Sequence, residues 1–446
     1  MNAVQEPGRT TPVLAETDVL VVGSGPAGLS AALAAARAGA KTLLVERFAA
    51  FGGNITQAMV GTIGWYRHPG TVESGGIGVE YERRAKAQGF SHKDYDGDSE
   101  ILDSESFKIV IDDMIREAGV TPLLHTWTVG VLKDGNAVTG IITESKSGRQ
   151  AIRARRVIDA TGDGDVAVMA GADFEELPGD QRMGATTTFN CSGVDKEEFL
   201  AYVKANPETL DSWAKTTSGK EDKMFSTWLQ APFEAAKAAG DIPDDINIYG
   251  YWGGLTDTGE ATNISLAHTR NIDATDVRSL TWGEMENRRK VLYAYRALKK
   301  YVPGFQNARL QSMSILGIRD SRRIVGDYQM SEHDVKNEAR FDDSIGIFPE
   351  FLDAYGTVIM PTTGRYMHIP YRICLPRGLD NIAVAGRSVS ADKIAFAATR
   401  QMSCSTVTGQ GAGIAAAISA KQGVPSRKAD MAAVQAELER QGVRYL

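Results

Sequence analysis

The sequence predicts an α/β fold, a parallel sheet with a smaller α+β unit inserted into it, and three observations predict it. Near the amino end an apolar run, a glycine turn and an alanine-rich helical stretch follow one another. A second apolar run comes next and closes on a carboxylate. Strand-like segments ending in glycine turns then recur at Gly162 and at Gly386, so the far end of the chain rejoins the first sheet.

The first segment, Asp18-Val19-Leu20-Val21-Val22, is short and apolar, as a buried strand requires. Gly23-Ser24-Gly25-Pro26-Ala27-Gly28 follows at once, then a helix rich in alanine and leucine that stops near Ala38-Gly39. Lys41-Thr42-Leu43-Leu44-Val45-Glu46 reads as the second strand, which completes a Rossmann-like βαβ unit. The three glycines serve different ends. Gly23 makes the tight turn, Gly25 lets backbone approach a pyrophosphate, and Gly28 lets helix and strand pack closely. The helix then offers the phosphates its unpaired N–H groups and positive dipole end, with Ser24, Pro26 and Ala27 at the contact. Glu46 is placed to accept hydrogen bonds from a ribose diol. After Arg47 comes a second glycine loop, Phe51-Gly52-Gly53-Asn54, suited to running backbone beside a cofactor larger than NAD, so FAD is the dinucleotide expected.

Thr121 to Thr128 and Ala137 to Glu144 read as strands of a small antiparallel layer, joined through a turn at Lys133-Asp134-Gly135-Asn136. Val129, at the end of the first, is counted among the cofactor contacts. Arg155-Arg156-Val157-Ile158-Asp159-Ala160 leads a strand into Thr161-Gly162-Asp163-Gly164-Asp165. Together with the βαβ unit and the Gly52-Gly53 loop, the Ala160-Thr161-Gly162-Asp163 turn resembles the FAD-dependent oxidoreductases of the fumarate reductase and succinate dehydrogenase flavoprotein superfamily. The stretches Gly317 to Gly326 and Ile369-Pro370-Tyr371-Arg372 resemble its "FAD-dependent oxidoreductase" branch, and the resemblance runs from about Asp18 to Ile418. It implies a discontinuous FAD-binding domain. Leu379 to Arg387 reads as a further strand, and the resemblance implies that its end, at Gly386 and Arg387, lies by the ribityl phosphate. Thr408-Gly409-Gln410-Gly411-Ala412-Gly413 reads as the opening of a small-residue helix; the resemblance implies that it points at the flavin pyrimidine edge, where its dipole favours negative charge on reduced flavin.

Between Gly171 and Gly364 there is neither a second glycine fingerprint for NAD(P)H nor a cysteine pair, which argues against a dithiol relay. The expected organisation is a flexible terminus over 1–16, an FAD-binding domain over 17–175 and 362–446, and a substrate or cap domain over 176–361. Trp213, Trp228, Tyr249, Tyr251 and Trp252 fall in the insert, and Glu284 to Tyr301 has the spacing of an amphipathic surface helix. The active site is expected between the domains.

Composition narrows the function classes. The 446 residues are 43% hydrophobic and 24% charged, ample for sizeable cores, and the formal charge of −7 makes nucleic-acid binding an unsuitable role. Cys191, Cys374 and Cys404 lack the spacing of a metal knuckle, and no metal site is expected. The polar start has no secretory pattern, and the longest apolar stretch, Ala27 to Ala38, is too short to span a bilayer. A soluble, cytoplasmic enzyme is the expectation.

With flavin accepting hydride, the protein must hold a substrate, manage one proton and steady developing charge. Arg400, between the Gly386 strand and the Gly409 helix, is the first candidate for gripping an anionic or carbonyl oxygen, with a surface ion pair as its plainer use. His368 and His268 are candidate bases because imidazole titrates near neutrality, though each alone reads equally as a loop histidine. Arg372, with Tyr371, is expected to position flavin or substrate. Arg319, Arg322 and Arg323 read as ion-pairing residues at the domain junction. Relatives carry a histidine near Lys393, so their proton handling does not transfer. The reaction expected is oxidation of a small polar substrate by hydride transfer to flavin N5, with dioxygen or a redox partner as acceptor. Reduction of an activated C=C bond and service as a flavin electron-transfer subunit are the alternatives, and a homo-oligomer is compatible with all three.

Overall fold

A computed structural model describes residues 3–63, 71–93, 99–206, 210–212, 225–227, 229–248, 254–359, 361 and 363–446. The aromatic residues Trp213, Trp228, Tyr249, Tyr251 and Trp252 lie outside them. Strand β1 (Val13–Val22) is followed by helix α1 (Pro26–Arg37) and strand β2 (Thr42–Val45), and Val19 to Val22 pair in parallel with Thr42 to Val45. These strands are near-continuous apolar runs because both faces are covered, and each fully buried Val or Leu contributes about 1.5–3 kcal/mol. Residues 13–16, expected to fray, instead begin β1 and pair with the strand over Gly148–Asp159.

The stretch expected as one antiparallel strand from Thr121 to Thr128 divides in two. Strand β3 (Thr121–Leu123) pairs in parallel with β2, the chain then turns through His125 at a φ of 52°, and β4 (Trp127–Asp134) starts a meander with β5 (Ala137–Ser145) and β6 (Gly148–Asp159). The main sheet therefore reads β3-β2-β1-β6, with β5 and β4 continuing along the first half of β6.

The inserted unit has its own core. Strand β7 (Ala185–Ser192) lies between β8 (Ala261–Thr269) and β9 (Arg309–Met313), and helix α2 (Val277–Tyr301) packs across them. The helix starts before Glu284, where Asp276 caps it by accepting from Arg278 and Ser279 N–H groups. Phe189, Phe199, Ile264, Leu298 and Phe305 fill this second core, with Phe199 and Phe305 edge to face at 5.3 Å. Its limits are narrower than 176–361: Ile324, Met330, Ile345, Phe348 and Leu352 belong to the first core. Contacts between the units are backbone-deep. Ile315 N–H donates to Gln57 O at 3.1 Å, and the Thr188 hydroxyl donates to Ala58 O at 2.6 Å.

The chain then forms the hairpin β10 (Leu352–Ala354) and β11 (Thr357–Ile359), returns to the main sheet as β12 (Ile382–Val384) in parallel with the second half of β6, and continues through α3 (Lys393–Thr399) and α4 (Met402–Gln422) to a last helix over Met431–Arg440. Helix α4 begins at Met402, not at Thr408, so Gly409, Gly411 and Ala412 sit well inside it. A Cβ on Gly409 would stand 2.1 Å from Ala27 O and one on Gly413 2.3 Å from Ala31 O, so α1 and α4 touch backbone to backbone. Arg156, buried on β6, caps the far end of α4 through Ser419 Oγ and Ser419 O. Among the described residues no helix is long and apolar enough to cross a membrane, and no group of His, Cys, Asp or Glu could hold a metal ion.

Candidate cofactor and substrate cleft

The glycines of the first turn separate by what surrounds them. Gly23, at a φ of 92°, lies against β6 so closely that a Cβ would be 2.4 Å from Ala160 O, and a Cβ on Gly28 would be 1.8 Å from Gly23 O. Both permit packing. Gly25 has an ordinary φ of −64°, and its Cβ would meet only Gly53 Cα at 4.0 Å. Gly53, at a φ of 51°, backs onto Gly25, where a Cβ would stand 2.5 Å from Gly25 Cα, and Gly52 N–H donates to Ser24 O at 2.9 Å. The two glycine loops thus brace each other while Gly25 leaves space open in front of α1, whose N-cap has no side-chain acceptor.

That space belongs to a cleft of about 340 Å³. The βαβ unit supplies Gly23 to Ala27, Glu46, Arg47, Gly53, Asn54 and Gln57 to its lining. The meander and the β6 turn supply Trp127, Thr128 and Ala160 to Asp163, the inserted unit supplies Ile315, Leu316 and Ile318, and the closing segment supplies Gly386, Arg387, Arg400, Met402 and Ser405. Gly52 and Val129 do not line it: Gly52 packs on Thr56, and Val129 is 40% exposed. Gly28, Gly409, Gly411 and Ala412 are likewise absent from the lining, each of the three glycines being a packing position.

The carboxylates here are structural before they are anything else. Glu46, buried at 6% exposure, accepts from Ser24 N–H and Oγ at 2.9 and 2.6 Å and from Phe48 N–H at 3.0 Å, fastening the phosphate turn to the end of β2. Asp159 is fully buried and holds the β6 turn by accepting from Thr161 and Ala167 N–H groups; burial pushes its carboxyl above the usual range against those bonds. Asp163 pairs with Arg387 at 2.7 Å, and Arg322 bridges Asp163 O and the Asp165 carboxylate. Asp165 is pushed up to about 6, first by burial and then by the charges of Asp163 and Asp159. Arg47 lies over the rings of Phe48 and Trp127, 4.8 and 5.3 Å from their centroids.

Three lining residues carry a buried polar atom with no partner among the described residues: Thr128 Oγ1, Arg387 Nη1 and Arg400 Nε. Unpaired buried donors are costly, and a ligand rich in phosphate and carbonyl oxygens would satisfy them. The open Gly25 face, the helix start without a side-chain cap and these donors fit a dinucleotide.

Of the four candidates for chemistry, only Arg400 reaches the cleft. It caps α3, its Nη2 donates to Asp353 O and to Asp353 Oδ2 at 2.8 Å, and its side chain is 10% exposed. His268 is locked inside β8, with Nδ1 at 3.3 Å from Thr186 Oγ1 and Nε2 at 3.3 Å from Ser265 O; burial, and then the Arg319 charge, pull it down to about 3. His368 accepts from Phe341 N–H at 3.2 Å in the strand Tyr366–Pro370, with burial lowering its pKa. Arg372 forms a two-pronged pair with Asp343 at 3.0 and 3.2 Å and lies over Tyr328. These three are therefore corrected to structural residues. Arg319 donates to Gly184 O at 2.9 Å, and Lys393, exposed, lies over the Tyr355 ring. Lining residues that no sequence motif singles out include Gln57, Trp127, Ile315, Leu316, Met402 and Ser405.

The family model described as FAD dependent oxidoreductase matches residues 18–438. The chain belongs to the FAD dependent oxidoreductase family. FAD is its cofactor. Among curated proteins, this oxidoreductase is 32% identical over 172 residues to the thiamine thiazole synthase of Metallosphaera sedula, a match covering 36% of this chain and 59% of that protein. It is 29% identical over 179 residues to a 6-methylpretetramide 4-monooxygenase of Streptomyces rimosus, covering 36% of this chain and 43% of the other. The chain thus spans about three fifths of the first of these relatives and less of the second. Among solved structures, a geranylgeranyl bacteriochlorophyll reductase-like protein of Thermoplasma acidophilum is 14% identical, with a TM-score of 0.49 over 95% of this chain and 83% of that one. A flavin-dependent brominase is 12% identical, with a TM-score of 0.48 over 95% of this chain and 84% of its own.

Proposed function

We propose that this oxidoreductase removes hydride from a C–H bond next to a hydroxyl or amine of a small polar substrate, with FAD seated along the cleft. In this reading the adenosine lies by Glu46, Arg47 and Trp127, the pyrophosphate by Gly25, α1 and Arg387, and the flavin among Asn54, Gln57, Ile315, Leu316 and Arg400. FAD supplies the hydride acceptor at its N5. The protein's own part is to hold, dehydrate and polarise. Ile315, Leu316, Ile318 and Met402 exclude water from one wall, which strengthens every hydrogen bond made inside. Arg400 would then donate its N–H to the substrate oxygen, steadying the negative charge left there as the hydroxyl proton passes to solvent water and the C–H hydride leaves.

One observation carries the reading: the Arg400 Nε is buried in the cleft wall with no acceptor among the described residues. His268 and His368 lie outside the cleft lining, so in this reading the substrate hydroxyl proton leaves to solvent water at the cleft mouth and Arg400 steadies the oxygen left behind. The three cysteines are free and buried, which supports a reducing, cytoplasmic setting. Wider kinship with the fumarate reductase flavoproteins rests on the sequence resemblance alone, carried by the βαβ unit, the Gly52-Gly53 loop and the Ala160 to Asp163 turn. Anaerobic mixing tests the function. Bleaching of the oxidised flavin by hydroxy or amino substrates supports it. Reoxidation of reduced flavin by an enoate, or a response only to a redox protein, overturns it in favour of alkene reduction or electron transfer.

A further inference from the structure

Arg400 does not face the cleft as a free cation. Both hydrogens of its Nη2 are committed to Asp353, one to the backbone oxygen and one to Oδ2 at 2.8 Å. A guanidinium grips a carboxylate through two parallel N–H bonds, and each way of doing so, with Nε and Nη2 or with Nη1 and Nη2, needs an Nη2 hydrogen. Neither is available here. What remains are the buried Nε–H and the Nη1 hydrogens, which share no edge of the guanidinium and cannot grip one carboxylate together.

Asp353 is held in place rather than resting there by chance. It lies in β10, and Tyr355 at the tip of the β10–β11 hairpin has a φ of 53°, donates its hydroxyl to Asp320 Oδ2 at 2.6 Å and sets its ring 6.3 Å from that of Phe396 in α3. The other charges on the facing elements do not alter the balance. Arg323 has Asp320 at 4.0 Å, and Lys393 is exposed and screened by solvent.

We propose that Asp353 neutralises Arg400, so that the substrate oxygen received by the cleft is an uncharged hydroxyl or carbonyl and not a carboxylate. This rests on the flavin end of the cleft lying at Arg400, as in the proposed function. Asp353 is a positioning residue acting through Arg400. A carboxylate brought to Arg400 would find no two-pronged grip and the Asp353 charge close behind it.

The test uses the FAD-loaded protein and sulfite, a small anion that adds to flavin and bleaches it, together with the flavin midpoint potential. D353N keeps the shape of the side chain while unmasking the Arg400 charge. It should tighten sulfite binding about tenfold, given the strength of a partly buried charge at close range, and raise the potential. D353E should restore the wild-type values, and R400M should weaken sulfite binding. D353S reads the same quantity if D353N does not retain flavin. Unchanged affinity and potential in D353N, alongside a clear effect of R400M, overturns the neutralisation and leaves the placement of the flavin standing. An inert R400M removes Arg400 from the flavin surroundings and overturns both.

Discussion

Replacing Gly25 with valine should leave the apoprotein folded and destroy cofactor binding, because the two demands on this glycine come apart in the structure. A Cβ at Gly25 would have only Gly53 Cα within reach, at 4.0 Å, and the backbone there, at φ −64° and ψ −177°, suits an ordinary residue. Reduced freedom of the unfolded chain gains about 0.4–1 kcal/mol, and a poorer N-cap loses a comparable amount, so apoprotein stability should move by less than about 1 kcal/mol. The pyrophosphate, in contrast, has to approach this Cα directly, and the valine methyls would take its place. Loss of the close N–H contacts to a charged group costs on the order of 3 kcal/mol, above a hundredfold in affinity. Gly28→Val is the matched control. Its Cβ would sit 1.8 Å from Gly23 O, so it should lower the apoprotein Tm sharply. Thermal melts of apoprotein and FAD titration by flavin fluorescence read the two quantities. A Gly25→Val protein that binds FAD as tightly as wild type would refute the reasoning outright.

Further outcomes follow from the charged and buried groups. Glu46→Ala should cost the apoprotein about 1–3 kcal/mol as well as weakening FAD, since the Ser24 and Phe48 N–H groups lose their acceptor; denaturant titration of the FAD-free protein checks it. Asp165, with its carboxyl pushed up to about 6, loses its proton as pH rises through that value and then repels the FAD phosphates. FAD affinity should therefore fall from pH 5 to 8, and Asp165→Asn should bind more tightly at pH 8 with a flat profile in the same titration. His268, down at about 3 when folded against about 6.5 unfolded, lets the unfolded chain take up an extra proton between those values. Its contribution is complete above about 6.5 and is lost as pH falls, by about 2 kcal/mol between pH 7 and 5, and His268→Gln should lack that slope in denaturation curves at the two pH values.

The parts of this fold that were legible are those fixed by neighbours in sequence. The β1 run, the Gly23 to Gly28 turn, α1 and the acid after β2 are each set by local geometry, and all four stand where the pattern puts them. The break inside Thr121 to Thr128 was not legible, because it falls on His125, a non-glycine residue at positive φ whose conformation is stabilised by its N–H bond to Phe48 O across the fold. The pattern puts the start of α4 too late for a related reason. Its first turn, Met402-Ser403-Cys404-Ser405, has no helix-favouring pattern and is helical because it is buried. The histidines illustrate the limit for chemistry: side-chain type gives both a titratable role, whereas tertiary burial decides that neither meets the cleft. Ile315 to Ile318 reach the cleft only because the inserted sheet hydrogen-bonds to the loop after Gly53, a contact no spacing within either segment announces.

Helix α4 shows how a motif can be conspicuous for a reason other than the cofactor. Its Gly409 and Gly413, one turn apart, face Ala27 O and Ala31 O of α1 so closely that the helices meet without side chains between them. The consequence for function is indirect and specific: α1 carries the phosphate-facing start of the cleft, α4 carries Met402 and Ser405 into its lining, and their separation sets its width. Gly409→Ala would place a methyl carbon 2.1 Å from a carbonyl oxygen that belongs to backbone and cannot swing aside. The helices would have to part by more than an ångström, an overpacking that costs about 1–3 kcal/mol or more. The variant should therefore melt earlier as apoprotein, unlike Gly25→Val, and lose FAD affinity only in proportion to that displacement. A Gly409→Ala protein with wild-type apoprotein Tm and selectively impaired FAD binding would return this glycine to the cofactor contacts and remove the packing argument.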